Sequence, residues 1–322
     1  MNGDMSEGLA KEVVWLSGIL TFGVTAEVLQ RIGDLSVSRS RVWRTVKVHG
    51  EAIQKVMEER AVAERIAEPE SQWMGCSADG GMIHIRGEGW KELKIGAIFE
   101  VESQTETHSR TGEEIDVGRS VRNSYVAHLG GPEPLGELMW REARRRGWEK
   151  AHATMMVGDG APWIWNLASS HFYDSEQVVD WYHATGHLAE AAQILHGPQT
   201  EKAERWLKTQ KNALYQGQAL SIAHMLLDKA EQHPQHAESL QGEAGYFTKN
   251  HRRMQYMQMR EDGWPIGSGM VESGCKQFKQ RFSGPGMRWS RAGAERLIPI
   301  RSAIMGGQLD EVWSQAHPAP QK

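Results

Sequence analysis

The chain has 322 residues, 39% of them hydrophobic and 24% charged, which suits a folded protein with one sizeable core and a smaller satellite. With 37 Lys plus Arg against 41 Asp plus Glu the formal net charge is −4, so attraction to a polyanion would have to come from local basic patches. Two cysteines, Cys76 and Cys275, far apart in sequence, exclude a disulfide framework and a cysteine-built zinc ribbon and point to a reducing cytoplasm.

In chain order, residues 1–70 read as a helical N-terminal region. The most apolar stretch, Val13 to Val24, is too short to span hydrocarbon, and nothing near Met1 reads as a secretory leader, so neither membrane nor export is expected. Thr25 is placed to cap a helix over Ala26 to Ile32, Ser38 to cap the next, and that long helix is expected to stop before Pro69. Two helices around Gly33-Asp34-Leu35-Ser36 resemble a helix-turn-helix. Arg39, Arg41, Arg44 and Lys47 on the second suit phosphate contacts, and a solvated basic face on a packing helix fits the same residues equally well.

From Trp73 the period changes to that of strands. Segments at Met74 to Ala78, Met82 to Ile85 and Leu93 to Phe99 predict a three-stranded meander, followed by a polar loop from Ser103 to Ser120. A helix over Leu135 to Gly147, a buried strand at Ala153 to Val157, a helix opened by Pro162, a short strand at Gln177 to Trp181 and a helix from Ala184 complete residues 71–186. Residues 187–262 read as a helical insertion. Residues 263–315 contain a turn at Trp264 to Gly269 and a helix from Val271 to Phe282 with Lys276 and Lys279 on its basic face; 316–322 is a tail. The fold class is α/β.

Three acidic residues stand out together. Asp79 alone would pass for a hairpin-turn residue, Asp159 follows a buried strand where α/β sites form, and Glu272 falls on a helix first turn that favours a carboxylate anyway. A meander followed by two α/β units places the first strand beside the fourth, making Asp79 and Asp159 neighbours. A third carboxylate from a late helix would complete a cluster that repels itself unless divalent cations neutralise it. Two Mg²⁺ ions roughly 3.5–4 Å apart, or Mn²⁺ in their place, would serve an in-line phosphodiester displacement.

At these positions the sequence resembles the DDE transposases of the ISKra-type insertion sequences. Asp79-Gly80 with Trp90 to Gly96 looks like the first catalytic block, Asp159-Gly160-Ala161-Pro162-Trp163-Ile164-Trp165-Asn166 the second, and Asp180-Trp181-Tyr182-His183 the Asp-x-x-His element beyond it. Ile266 to Ser273, continuing to Gly286-Met287-Arg288-Trp289-Ser290, is similar to the third. The resemblance runs from about residue 20 to 305. It implies an RNase H-like five-stranded mixed sheet flanked by helices, with the helical segment before the last catalytic helix as an insertion. It further implies that Asp79, Asp159 and Glu272 bind the metals, and that the enzyme cuts and joins DNA at insertion-sequence ends. Lys279, seven positions after Glu272, is expected to meet DNA phosphate; Asp180 and His183 are expected as auxiliaries, a histidine merely bridging strand and helix being the equal alternative. The expected setting is a bacterial cytoplasm, nucleoid-associated when bound, as a homodimer joining two DNA ends.

Competing readings fare worse. Gly158-x-Gly160-x-x-Trp163 lacks the last glycine of a dinucleotide fingerprint, Gly269 to Gly274 is followed by Cys275-Lys276 rather than Lys-Ser/Thr, and His183-Ala184 lacks the glutamate of a zincin. A catalytically inactive transposase-derived DNA-binding protein and an RNase H-like nuclease are the alternatives.

Overall fold

The computed structural model describes residues 5–59, 71–107 and 114–318. Three helices open the chain: α1 (Glu7–Ile19), α2 (Phe22–Gly33) and α3 (Arg39–Glu59). Ser6 caps α1 through the Leu9 amide, Thr21 caps α2 through the Val24 amide, and Ser38 accepts from the Arg41 amide at 3.2 Å. The cap expected at Thr25 therefore moves to Thr21: Thr25 is buried one turn inside α2, which begins earlier because Phe22 belongs to its apolar face. The expected end of the long helix before Pro69 lies outside the described residues.

A single sheet follows, of order β3-β2-β1-β4-β5, built from β1 (Trp73–Ile85), β2 (Gly89–Thr107), β3 (Glu114–Leu129), β4 (Ala153–Gly158) and β5 (Glu176–Val179). β1 pairs with β2 and β2 with β3 antiparallel, whereas β4 pairs with β1 and β5 with β4 in parallel. The meander differs from its expected form. Residues 73–85 are one strand that stays paired through Asp79↔Ile95, Gly80↔Lys94 and Gly81↔Leu93, so Asp79 sits in a strand and not a hairpin turn. The glycines mark crowding instead of a turn: a Cβ on Gly80 would meet Glu92 and one on Gly81 would meet Lys279. The expected loop from Ser103 to Ser120 is in large part strand, the ends of β2 and β3 pairing out to Thr107↔Glu114. Its charged residues are exposed and pair across the ladder, as in Arg119 with Glu106, and so carry no apolar period to reveal it.

Helices cover both faces. α4 (Pro132–Arg145) and α5 (Pro162–His171), each with proline in its first turn, take one side, where Met139 presses on Gly96 and Ile164 on Gly158. α11 (Gly269–Phe282) crosses the other side over β1 and β2, with Gly274 against Tyr125. α12 (Arg291–Met305) and α13 (Leu309–Ala316) pack with α1 and α3. Between β5 and α11 lie α6 (Trp181–His196), α7 (Glu201–Tyr215), α8 (Ala219–Gln232), α9 (Ala237–Asn250) and α10 (Tyr256–Glu261), the helical excursion expected from the sequence. The short strand expected to run to Trp181 ends at Val179, because Asp180 turns the chain and caps α6. The core is continuous across these layers, with Met74, Ile83, Ile85, Leu93, Ile95 and Phe99 fully buried. The protein is α/β, with a five-stranded mixed sheet flanked by helices. No helix among the described residues is long and apolar enough to cross a membrane.

Candidate active site at the carboxyl ends of the central strands

The register of the three parallel strands brings three aspartates to one level. Ser77 pairs with Val157 and Val157 with Val178, so two residues further along each strand stand Asp79, Asp159 and Asp180. Because side chains alternate, equal steps from paired positions set all three on the same side of the sheet. The ladder is still hydrogen-bonded at this height, the Asp180 amide donating to the Gly158 carbonyl at 2.7 Å. A switch between antiparallel and parallel neighbours occurs at β1, and the carboxyl ends of strands at such a point form the usual crevice of an open α/β sheet.

Each aspartate is fixed locally. Asp79 Oδ1 accepts from the Gly80 amide at 2.6 Å, and the Cys275 thiol on α11 also bonds the Asp79 carboxylate. Burial pushes the Cys275 thiol far up, with the negative charge of Asp79 adding to it, so the sulfur is a protonated donor and not a nucleophile. Asp159 Oδ1 accepts from the Ala161 amide at 2.7 Å, shaping the loop before α5. Gly160 in that loop has φ +102°, and a Cβ there would collide with Tyr246 of α9. The Tyr246 hydroxyl in turn donates to the Asp159 carbonyl oxygen at 2.9 Å. Burial, reinforced by Asp159, Asp180 and Glu243, raises the Tyr246 pKa well above that of a free phenol, so its proton stays in place.

Asp180 is fully buried and links the strand ends to α11. Its Oδ1 accepts from the His183 amide at 2.8 Å, capping α6, while Oδ2 accepts from the Ser268 hydroxyl at 2.8 Å and from the Ser268 amide. The Ser268 hydroxyl lies 3.4 Å from Glu272 Oε1, and His183 Nε2 lies 3.9 Å from the same oxygen. Asp180, His183 and Glu272 thus offer ligand atoms all within 4.8 Å of one another. With three donors already on it, Asp180 serves best as the anchor that holds Glu272 against the strand ends. The N-terminal turn of α11 adds its positive end to the field at Glu272.

The structure therefore brings the expected site residues to one end of the sheet but groups them differently. Glu272 stands closest to Asp180 and His183, the pair expected as auxiliaries; Asp79 and Asp159 flank that group from the adjoining strands and are not part of its tight set. Lys279 lies two turns down α11 with its Cε across Gly81, on the Asp79 side of β1; Lys276 is exposed on the same helix. Arg39, Arg44 and Lys47 line a separate cleft against residues 285–290, whereas Arg41 is outside that lining. Sequence reasoning missed Tyr246, Cys275 and Ser268 as working parts. Ser268 lay inside the Gly-Ser-Gly turn already singled out, and its position at the head of a helix was the available signal; Tyr246 lies in the helical excursion with nothing local to mark it.

A second cluster, His187, Glu190 and Glu243, adjoins the first. His187 Nδ1 lies 2.7 Å from Glu243 Oε2 and its ring stacks on Tyr246 with centroids 3.6 Å apart, so it braces the tyrosine that holds the Asp159 loop.

The carboxylate oxygens suit a hard divalent cation, and the histidine nitrogen beside Glu272 suits Mg²⁺ less than Mn²⁺. Among the described residues no lysine or arginine stands within ion-pair distance of Asp79, Asp159, Asp180 or Glu272, although the carboxylates crowd one end of the sheet. The donor set thus fits the expected cations. No protein-family model matches the chain, and no curated protein matches its sequence.

Proposed function

We propose that this chain is a DDE-type DNA transposase with an RNase H-like catalytic core, cleaving and joining DNA at the ends of an insertion sequence. One observation carries the reading: Asp79, inside β1, and Asp159, just past the end of the parallel neighbour β4, stand at the same register level, and α11 delivers Glu272 to that same crevice through the Asp180–Ser268 link. The sheet order with three antiparallel strands followed by two parallel ones, and a late helix carrying the third acid, supports the core assignment.

In this reading Asp79, Asp159 and Glu272 hold the divalent cations. When bound, a pair of Mg²⁺ ions activates a water or a 3′-hydroxyl and stabilises the leaving oxygen. The protein's own groups supply the rest. Asp180 fixes Glu272, Tyr246 and the Ala161 amide fix the Asp159 loop, and Cys275 orients Asp79 with a proton that burial keeps on the sulfur. In the same reading His183, exposed and 3.9 Å from Glu272, contacts the scissile phosphate, and exposed Lys279 offsets phosphate charge further along the DNA. The partners are transposon ends and target DNA, the assembly a homodimer and the setting a bacterial cytoplasm.

The test is Asp159→Asn, which keeps the size and the bond to the Ala161 amide. Mg²⁺-dependent strand cleavage falls by about a thousandfold, several kcal/mol of transition-state stabilisation, while DNA binding is retained. Cleavage at the wild-type rate would remove Asp159 from the chemistry. Supplying pre-cut transposon ends separates the alternatives: a transposase yields joined products, a simple nuclease yields none, and an inactive DNA-binding descendant yields neither cleavage nor joining.

A further inference from the structure

A cavity of about 1100 Å³ opens between the N-terminal helices and the segment that joins α11 to α12. One wall is α3, contributing Arg39, Arg44 and Lys47; the other is Arg86 from the β1–β2 turn with Arg281 and Arg288. Arg296 also lines it but is paired with Glu51 at 2.7 Å. Among the described residues no acidic side chain lines the cleft, in a chain whose formal net charge is −4. The positive charge is therefore concentrated here against the overall balance of the molecule.

Arg281 supplies an independent sign of an anion-binding site. It is 2% exposed, its Nε donates to the Ser17 carbonyl at 2.7 Å, and its Nη2 has no hydrogen-bond partner among the described residues. Its guanidinium lies 5.2 Å from the Phe22 ring and 5.0 Å from the Trp289 ring, and both aromatics line the same cleft. Burial and nearby Arg301 push its pKa down to about 10, so it remains a cation at neutral pH. A buried cation with an unpaired donor beside a cavity lined by arginines and no acid is stabilised by an anionic guest. Trp43, 46% exposed on the α3 wall, adds a flat apolar surface suited to sugar or base faces.

We propose that this cleft is a two-walled binding site for a DNA phosphate backbone. The inference rests on the transposase reading and extends it: the second wall includes Arg281 of α11, the helix that carries Glu272. Arg281 lies nine positions after Glu272 on α11, about 14 Å along the axis, so DNA gripped in the cleft is held at a set distance from the acidic crevice.

The test uses the full chain and a fluorescein-labelled duplex, with EDTA present so that binding is read without catalysis. Arg44→Glu and Arg288→Glu, exposed residues on opposite walls, each weaken binding at least about tenfold, and each lowers the slope of log affinity against log salt by about one. Lys208→Glu, exposed on α7, leaves both unchanged. Full affinity in Arg44→Glu and Arg288→Glu, with unaltered melting curves, overturns the proposal; so does a loss confined to Arg44→Glu, which would reduce the site to one wall. If wild-type protein cleaves and joins DNA while both variants bind normally, the cleft fails and the transposase reading stands. If both variants lose binding but the wild type never cleaves, the cleft stands and the transposase reading fails. No binding by the wild type overturns both.

Discussion

Two sets of buried or half-buried carboxylates in this protein are treated in opposite ways. Glu100 on β2 receives Arg122 Nη2 at 3.0 Å, Arg146 Nη2 at 2.9 Å and the Ser71 amide at 2.7 Å. Burial alone would raise its pKa, but the hydrogen bonds from Arg122, Ser71 and Arg146 prevail and hold it below the usual carboxylate range. In the crevice, Asp79, Asp159, Asp180 and Glu272 are met by amides, a hydroxyl, a thiol and a distant histidine, all of them neutral groups except His183 when protonated. The same chain that places two arginines on one structural glutamate places none on four acids in a crevice. The first arrangement serves stability; the second leaves four acids without a lysine or arginine partner among the described residues.

Removing Glu100 gives the largest stability effect by which this contrast can be broken. Glu100→Gln leaves Arg146 without its counter-charge and Arg122 with that of Glu102, and stability in denaturant titrations falls by about 3 kcal/mol. Since the folded pKa is depressed, the glutamate's contribution is present at neutral pH, above the unfolded value. It is lost as acid carries the pH down through the folded value, so the variant's deficit narrows on acidification. A deficit that stays constant down to pH 2 would show that Glu100 does not act through its charge.

The crevice responds in the other direction. Mg²⁺ at about 100 times its dissociation constant raises stability by about 2.7 kcal/mol, read as a rise in Tm, and Asp159→Asn abolishes the rise. A wild-type melting curve indifferent to Mg²⁺ and Mn²⁺ would erase the distinction between the two carboxylate sets. A smaller effect comes from Tyr246→Phe, which removes the hydroxyl bonded to the Asp159 carbonyl and costs about 1 kcal/mol by calorimetry. No change there would mean that the Ala161 amide alone shapes the loop.

What could be read in advance follows from where the physical signal is local. The buried strand at Met155 to Val157, the prolines opening α4 and α5 and the helical excursion were legible because burial and capping leave marks within a few residues. The strand character of residues 103–107 and 114–120 was not: cross-strand ion pairs such as Arg119 with Glu106 stabilise it, and nothing in either segment alone records its partner. Asp79-Gly80-Gly81 read as a turn, yet the glycines answer to Glu92 and to Lys279, the second nearly two hundred positions away. Within the site, the acids and their approximate level were legible from strand ends. The Asp180–Ser268 link and the Tyr246 brace were not, because each joins residues remote along the chain.

Asp180 and Ser268 are 88 positions apart, and the whole helical excursion lies between them. Closing a loop of that length costs about 4 kcal/mol of chain entropy before the contact returns anything. The acidic crevice is accordingly among the last parts to assemble. A polypeptide emerging from the ribosome completes its sheet and begins its excursion while Glu272 is still unsynthesised, and holds no finished pocket until the excursion has folded back on itself.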